Sequence, residues 1–210
     1  MIGKVYDWVD SRTGIKTEVE KKMSQAVPGH IYFYCFGGIS LFIIFLQIVT
    51  GVVLAFFYEP DPKMATKSIE YLSNEVPYGW LVRNMHRWGS TLLIATIFTH
   101  MVTVFYRKAY RQPRELNWIS GVLQFLVVFL LLTTGIILPW DWRAYWSFAI
   151  WMDYVATWPL IGEAFKNLML DTFTMNRAFI SHVMILPMFL FLLLRFHFKM
   201  VRKHGISEPL

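Results

Sequence analysis

Four stretches without a single Asp, Glu, Lys or Arg dictate most of what this chain can fold into. They run Ile31–Tyr58, Trp88–Tyr106, Leu116–Trp140 and Ala178–Leu194, at 28, 19, 25 and 17 residues. A hydrocarbon core about 30 Å thick takes roughly 20 residues of apolar helix. Inside it every backbone amide must be satisfied within the protein, which makes each stretch a helix. The last is short, and its helix is expected to continue through Arg195 to about Met200. The expected fold class is therefore an all-α membrane protein, a four-transmembrane-helix bundle with helices at about 31–58, 79–106, 115–139 and 174–201, in a single domain over 1–210. A hydrophobic content of 56% excludes an ordinary soluble domain.

Charge then orients the bundle. Twelve Lys and Arg fall on the side that holds the N-terminal segment, the link between the second and third stretches, and the tail. Five (Lys63, Lys67, Arg143, Lys166 and Arg177) fall on the other. The positive-inside rule puts both termini in the cytoplasm or its equivalent. This topology accounts for the net charge of +6, so no nucleic-acid partner is expected. Residues 1–30 are polar, with no cleavable signal pattern. They read as a cytoplasmic surface segment that lies on lipid or contacts a subunit. The segment 141–176 is expected to lie on the outer side. Its many aromatics, with Trp158-Pro159 and Gly162 interrupting them, predict two short interfacial helices. A connection this long also suits a binding surface. One cysteine, Cys35, excludes an internal disulfide.

Within the apolar stretches, His86 and His100 are 14 residues apart, and His182 and His197 are 15 apart. Fourteen residues return to nearly the same helix face about 21 Å along the axis; fifteen miss whole turns by about 60°. Ionisable groups inside a membrane are costly enough to imply function, and imidazole is a usual axial ligand of haem iron. Glycines repeat the interval: Gly37 and Gly51 in the first helix, Gly121 and Gly135 in the third. Glycine lets a backbone approach a neighbour or ligand closely. Chain direction places Gly37 and Gly121 with His100 and His197, and Gly51 and Gly135 with His86 and His182. Two stacked b haems, each held by two histidines and faced by two glycines, satisfy every interval. Arg83 and Arg87 flank His86, and Arg114 begins the third helix. Such arginines serve haem propionates through bidentate donation or snorkel to headgroups.

With these residues in place, the chain resembles the cytochrome b6 family, the short four-helix form of cytochrome b in quinol–cytochrome c or plastocyanin reductases. The resemblance covers almost the whole length: KVYDW at 4–8, YCFGGIS at 34–40, QIVTGVVLAFFY at 47–58, NEVPYGWLVRNMHRWGS at 74–90, PRELNWISGV at 113–122, LPWD at 138–141 and RKHGISEPL at 202–210. The 15-residue second interval is that of the cytochrome b6 branch, where mitochondrial-type cytochrome b generally has 14.

The resemblance implies that His86 and His182 ligate an outer-side haem b, and His100 and His197 a cytoplasmic-side one. It also implies that Cys35 attaches a c-type haem through one thioether, near a quinone pocket that takes in Arg202 and Lys203. Pro139, Trp140, Asp141 and Trp142 would wall the quinol site. The implied activity is that of an electron-transfer subunit in a quinol oxidoreductase that couples quinol oxidation to proton translocation, not catalytic alone. Implied partners are a subunit IV-like companion carrying the later cytochrome b helices, a Rieske iron–sulfur protein, a c-type cytochrome and lipids, in a homodimeric complex. The implied setting is a bacterial plasma or thylakoid membrane. Ile136 and Trp142 replace the family's tyrosine and glutamine, and Arg143 and Arg195 are further departures.

Overall fold

The computed structural model describes residues 2–14 and 35–205. α1 (Ile2–Thr13) is a unit of its own, where the Arg12 guanidinium stacks 4.2 Å over the Trp8 ring. The remainder comprises α2 (Cys35–Phe57), α3 (Ala65–Asn74), α4 (Gly79–Tyr106), α5 (Glu115–Ile137), α6 (Trp142–Ala156), α7 (Gly162–Thr172) and α8 (Met175–His204). No strand occurs among the described residues. α2, α4, α5 and α8 are long and apolar enough to cross a membrane, and the chain is an integral membrane protein. They carry exposed Phe56, Phe98 and Phe189, an apolar surface that only lipid or another apolar chain can cover.

α2 packs chiefly on α4, and α5 on α8, while α4 and α5 join the two pairs. The buried cluster at the centre includes Ile44, Leu93, Val128 and Leu190. Ile44, Leu93 and Val128 each stand midway between the two glycines or histidines of their own helix, and Leu190 stands near the middle of 182–197. Van der Waals packing, which drives helix association in lipid, thus concentrates halfway between the two histidine levels. A Ser40 Oγ donation to Thr96 Oγ1 at 3.0 Å ties α2 to α4.

α8 is not uniform. Ser181–Ile185 forms a π turn in which the Leu186 N–H donates to Ser181 O, five residues back. Pro187 follows at once and has no N–H to give an α-helical bond to Val183. The widened turn takes up one residue. It answers the 60° mismatch of the 15-residue interval: with one residue absorbed, His182 and His197 sit on α8 as if 14 apart.

On the loop side, Asp141 caps α6 by accepting from the Ala144 N–H at 2.9 Å. Lys166 of α7 pairs with Asp153 of α6 at 2.8 Å, and Thr174 caps the start of α8.

Candidate functional site

The glycines and histidines meet helix by helix. A Cβ added at Gly51 would stand 3.2 Å from His86 Cε1, and one at Gly135 only 2.9 Å from His182 Cε1. At the other level, a Cβ at Gly37 would stand 3.1 Å from His100 Cε1, and one at Gly121 3.7 Å from His197 Cε1. Each histidine of α4 therefore lies against a glycine of α2, and each histidine of α8 against a glycine of α5.

The rings of His86 and His182 face each other with centroids 6.4 Å apart and planes 69° apart. A metal ion bound by two imidazole nitrogens at about 2 Å each would space the centroids by about 6 Å, so the gap is the width of one bis-imidazole site. Beside it opens a cavity of about 910 Å³, lined by both histidines, both glycines, Arg83 and Arg87. The two arginines could supply cations to the carboxylates of a bound group there.

Hydroxyls complete the arrangement. Thr50 Oγ1 lies 2.9 Å from His86 Nδ1, Thr134 Oγ1 2.9 Å from His182 Nδ1, and Ser120 Oγ 2.9 Å from His197 Nδ1. Sequence reasoning missed these three residues, although a signal was present. Each immediately precedes a histidine-facing glycine, as Thr50-Gly51, Ser120-Gly121 and Thr134-Gly135.

The other candidates divide. Pro139, Asp141 and the departures Ile136 and Arg143 line the cavity. Trp140 instead stacks on Phe173, with centroids 5.4 Å apart. Its φ of 49° puts it in the left-handed region, rare outside glycine. The strained corner is pinned by Thr66 Oγ1, which donates to Pro139 O at 3.0 Å, and by Tyr58 OH, which donates to Leu138 O at 2.6 Å. Burial pushes the Tyr58 phenol up from its ordinary value. Trp142 is 72% exposed. At the far end, Arg114 NH2 reaches His204 O at 3.4 Å, while Arg202 and Lys203 are exposed at the close of α8. Cys35 opens α2, but its side chain lies outside the described residues, as does the tail from residue 206.

Comparisons with known proteins show the family and the fold. The family model described as Cytochrome b/b6/petB matches residues 22–205. The chain is 42% identical to the menaquinol:cytochrome c reductase cytochrome b subunit of Bacillus subtilis, with 100% of both chains covered. It is 35% identical to cytochrome b6 of Desmonostoc sp., again with 100% of both covered. Among solved structures, a chain from "Hyperthermophilic respiratory Complex III" superposes with a TM-score of 0.88 at 32% identity. That match covers 97% of this chain and 56% of the solved one.

Proposed function

The chain belongs to the cytochrome b/b6 family, and from that premise we propose that it is the di-haem cytochrome b subunit of a quinol:cytochrome c or plastocyanin oxidoreductase. Family membership implies haem b. The finer reading is that His86 and His182 hold one haem b and His100 and His197 a second. When bound, a haem iron with both axial positions filled by imidazole carries single electrons and leaves no open position for oxygen. The observation that carries the reading is the fourfold contact of histidine with glycine, two contacts at each of two levels.

The chain's own groups have distinct work. The glycines clear the space beside each imidazole that any side chain would fill. Arg83 and Arg87 neutralise carboxylates at one cavity mouth, and Arg114 does so at the other level. The apolar layer at Ile44, Leu93, Val128 and Leu190 keeps water from the interval between the levels. Pro139 and Asp141, with their chain neighbours Trp140 and Trp142, form this chain's share of the quinol site. Asp141 is already committed to capping α6, so its part there is to hold the wall in shape. Cys35 attaches a third, c-type haem through a thioether, beside a quinone region bounded by Arg202 and Lys203. Both termini face the cytoplasm or stroma, in a bacterial plasma or thylakoid membrane. Quinol oxidation on the outer side is coupled to proton translocation through a complex with a subunit IV-like companion, a Rieske protein and a c-type cytochrome.

Purification of the native complex tests this reading. It should contain two low-spin b-type signals, a Rieske centre and a companion chain carrying further cytochrome b helices. A chain that purifies with haem but with no Rieske or companion partner, and does not oxidise quinol, would overturn it.

A further inference from the structure

Each of the three hydroxyls beside a histidine has already spent its only proton. Thr50 Oγ1 donates to Leu46 O at 2.7 Å, Thr134 Oγ1 to Leu130 O at 2.7 Å, and Ser120 Oγ to Asn117 O at 2.9 Å. Such bonds to a carbonyl three or four residues back are ordinary for helical Ser and Thr. What remains on each oxygen is acceptor capacity. The contact with the neighbouring Nδ1 at 2.9 Å therefore requires that Nδ1 carry the hydrogen. A neutral imidazole has one N–H, so the lone pair is left on Nε2, and Nε2 is the only ring atom that can bind a metal.

We propose that Thr50, Thr134 and Ser120 are positioning residues that fix His86, His182 and His197 in the Nδ1–H tautomer and set the electron-donating power of these ligands, whereas Phe36 leaves His100 without the corresponding hydroxyl. The inference rests on the reading of these histidines as haem ligands. The fourth position is defined by the same rule as the others, because Phe36 immediately precedes Gly37, the glycine against His100. A phenyl ring accepts no conventional hydrogen bond at that place.

An Nδ1–H that donates to an oxygen makes the imidazole a stronger base and stabilises the oxidised iron, so outer-sphere acceptors tune both ring orientation and potential. Among the described residues two such hydroxyls serve the His86–His182 level and one the His100–His197 level, and the backbone carbonyls of Gln47, Leu131 and Asn117 also lie within hydrogen-bonding reach of His86, His182 and His197. Part of the difference in potential between the two haems is thereby written into α2 and α5, outside the ligands themselves.

Redox titration and low-temperature electron paramagnetic resonance of the purified complex test the proposal. Thr50→Val and Thr134→Val keep shape but remove the hydroxyl, leaving only the backbone carbonyls of Gln47 and Leu131 as acceptors. Each should shift the midpoint of one b-type haem upward, alter its g values, and leave the other haem in place. Ser120→Ala should shift the second haem upward instead. Thr50→Ser and Thr134→Ser should restore the original midpoint. Phe36→Thr adds an acceptor and removes none, and it should shift the haem answering to Ser120 downward. If a valine variant loses its haem, the contrast of Thr→Ala with Thr→Ser reads the same effect. Unmoved midpoints and g values in the truncated variants, with both b-type signals intact, would overturn the proposal. A wild-type complex without two bis-imidazole signals would overturn the ligand reading itself, a result told apart by the absence of the signals before any substitution.

Discussion

The His86–His182 pair and the His100–His197 pair use the same four helices and the same repeat, yet their surroundings differ. At the first pair both histidines meet a threonine hydroxyl at 2.9 Å, and both glycines are tight, at 2.9 and 3.2 Å from a ring carbon. At the second pair one histidine meets a serine hydroxyl, the other faces the Phe36-Gly37 step, and the glycine contacts are unequal, 3.1 Å at Gly37 but relaxed to 3.7 Å at Gly121. A repeat of 14 residues fixes where a side chain stands along and around a helix. It does not fix what the neighbouring residue offers, and that neighbour decides how firmly the ring is held. Equal spacing can therefore produce unequal sites.

The largest effect should come from removing a ligand at one level only. His86→Leu or His182→Leu should abolish one b-type signal in redox difference spectra, and His100→Leu or His197→Leu the other. Retention of both signals at full strength in any of the four would break the assignment of two independent levels. Next in size is a loss that should touch one level's surroundings and neither b-type haem. On denaturing gels the chain should stain for covalent haem, and Cys35→Ala should abolish that stain while both b-type signals persist. An unstained wild-type band would return Cys35 to ordinary packing.

A graded pair of substitutions sharpens the contrast in tightness. In Gly135→Ala the new methyl meets a ring that Thr134 already holds, and overpacking of this kind costs about 1–3 kcal/mol. Its haem content and thermal midpoint should fall below those of Gly121→Ala, where the 3.7 Å contact is ordinary van der Waals distance. Equal behaviour of the two variants would show that the two glycine sites of α5 are equally tight. The smallest effect lies in the loop. The hydrogen bond from Lys166 to Asp153 raises the lysine's pKa, against a smaller lowering by burial and with smaller support from the Asp153 and Glu163 charges. A raised cationic pKa stabilises the fold below the ordinary lysine range, and that contribution fades as pH rises through the raised value. The pair is exposed and screened. Lys166→Ala should therefore leave haem content unchanged and produce only a slight gain in protease sensitivity between α6 and α7, confined to pH below the lysine range.

The four spans were readable because charge is excluded from hydrocarbon, so their limits are written in composition as well as periodicity. The histidine–glycine contacts were readable for a related reason, since both partners repeat at the same interval on helices whose directions alternate. The hydroxyls were present one residue before each glycine but carried no periodic signal of their own. Their role depends on the i−4 carbonyls that take their protons, and those are visible only in the fold. The detail of the LPWD corner is not legible in sequence, because it depends on a left-handed backbone at Trp140, with Pro139 and Asp141 lining the cavity and Trp140 packed on Phe173.

The π turn at Ser181–Ile185 changes how sequence distance should be counted in this helix. Leu186 reaching back five residues to Ser181 means that one residue is looped outward while the helix on either side keeps its phase. A 15-residue interval and a 14-residue interval are then a single spatial arrangement with and without a supernumerary residue. Any alignment between chains of the two kinds belongs with its gap inside 181–185, because a gap elsewhere between the histidines would rotate Leu190 and its neighbours out of the central layer. Helix α8 thus has one place where it can grow or shrink by a residue while its two histidines keep their positions, and Pro187 marks it.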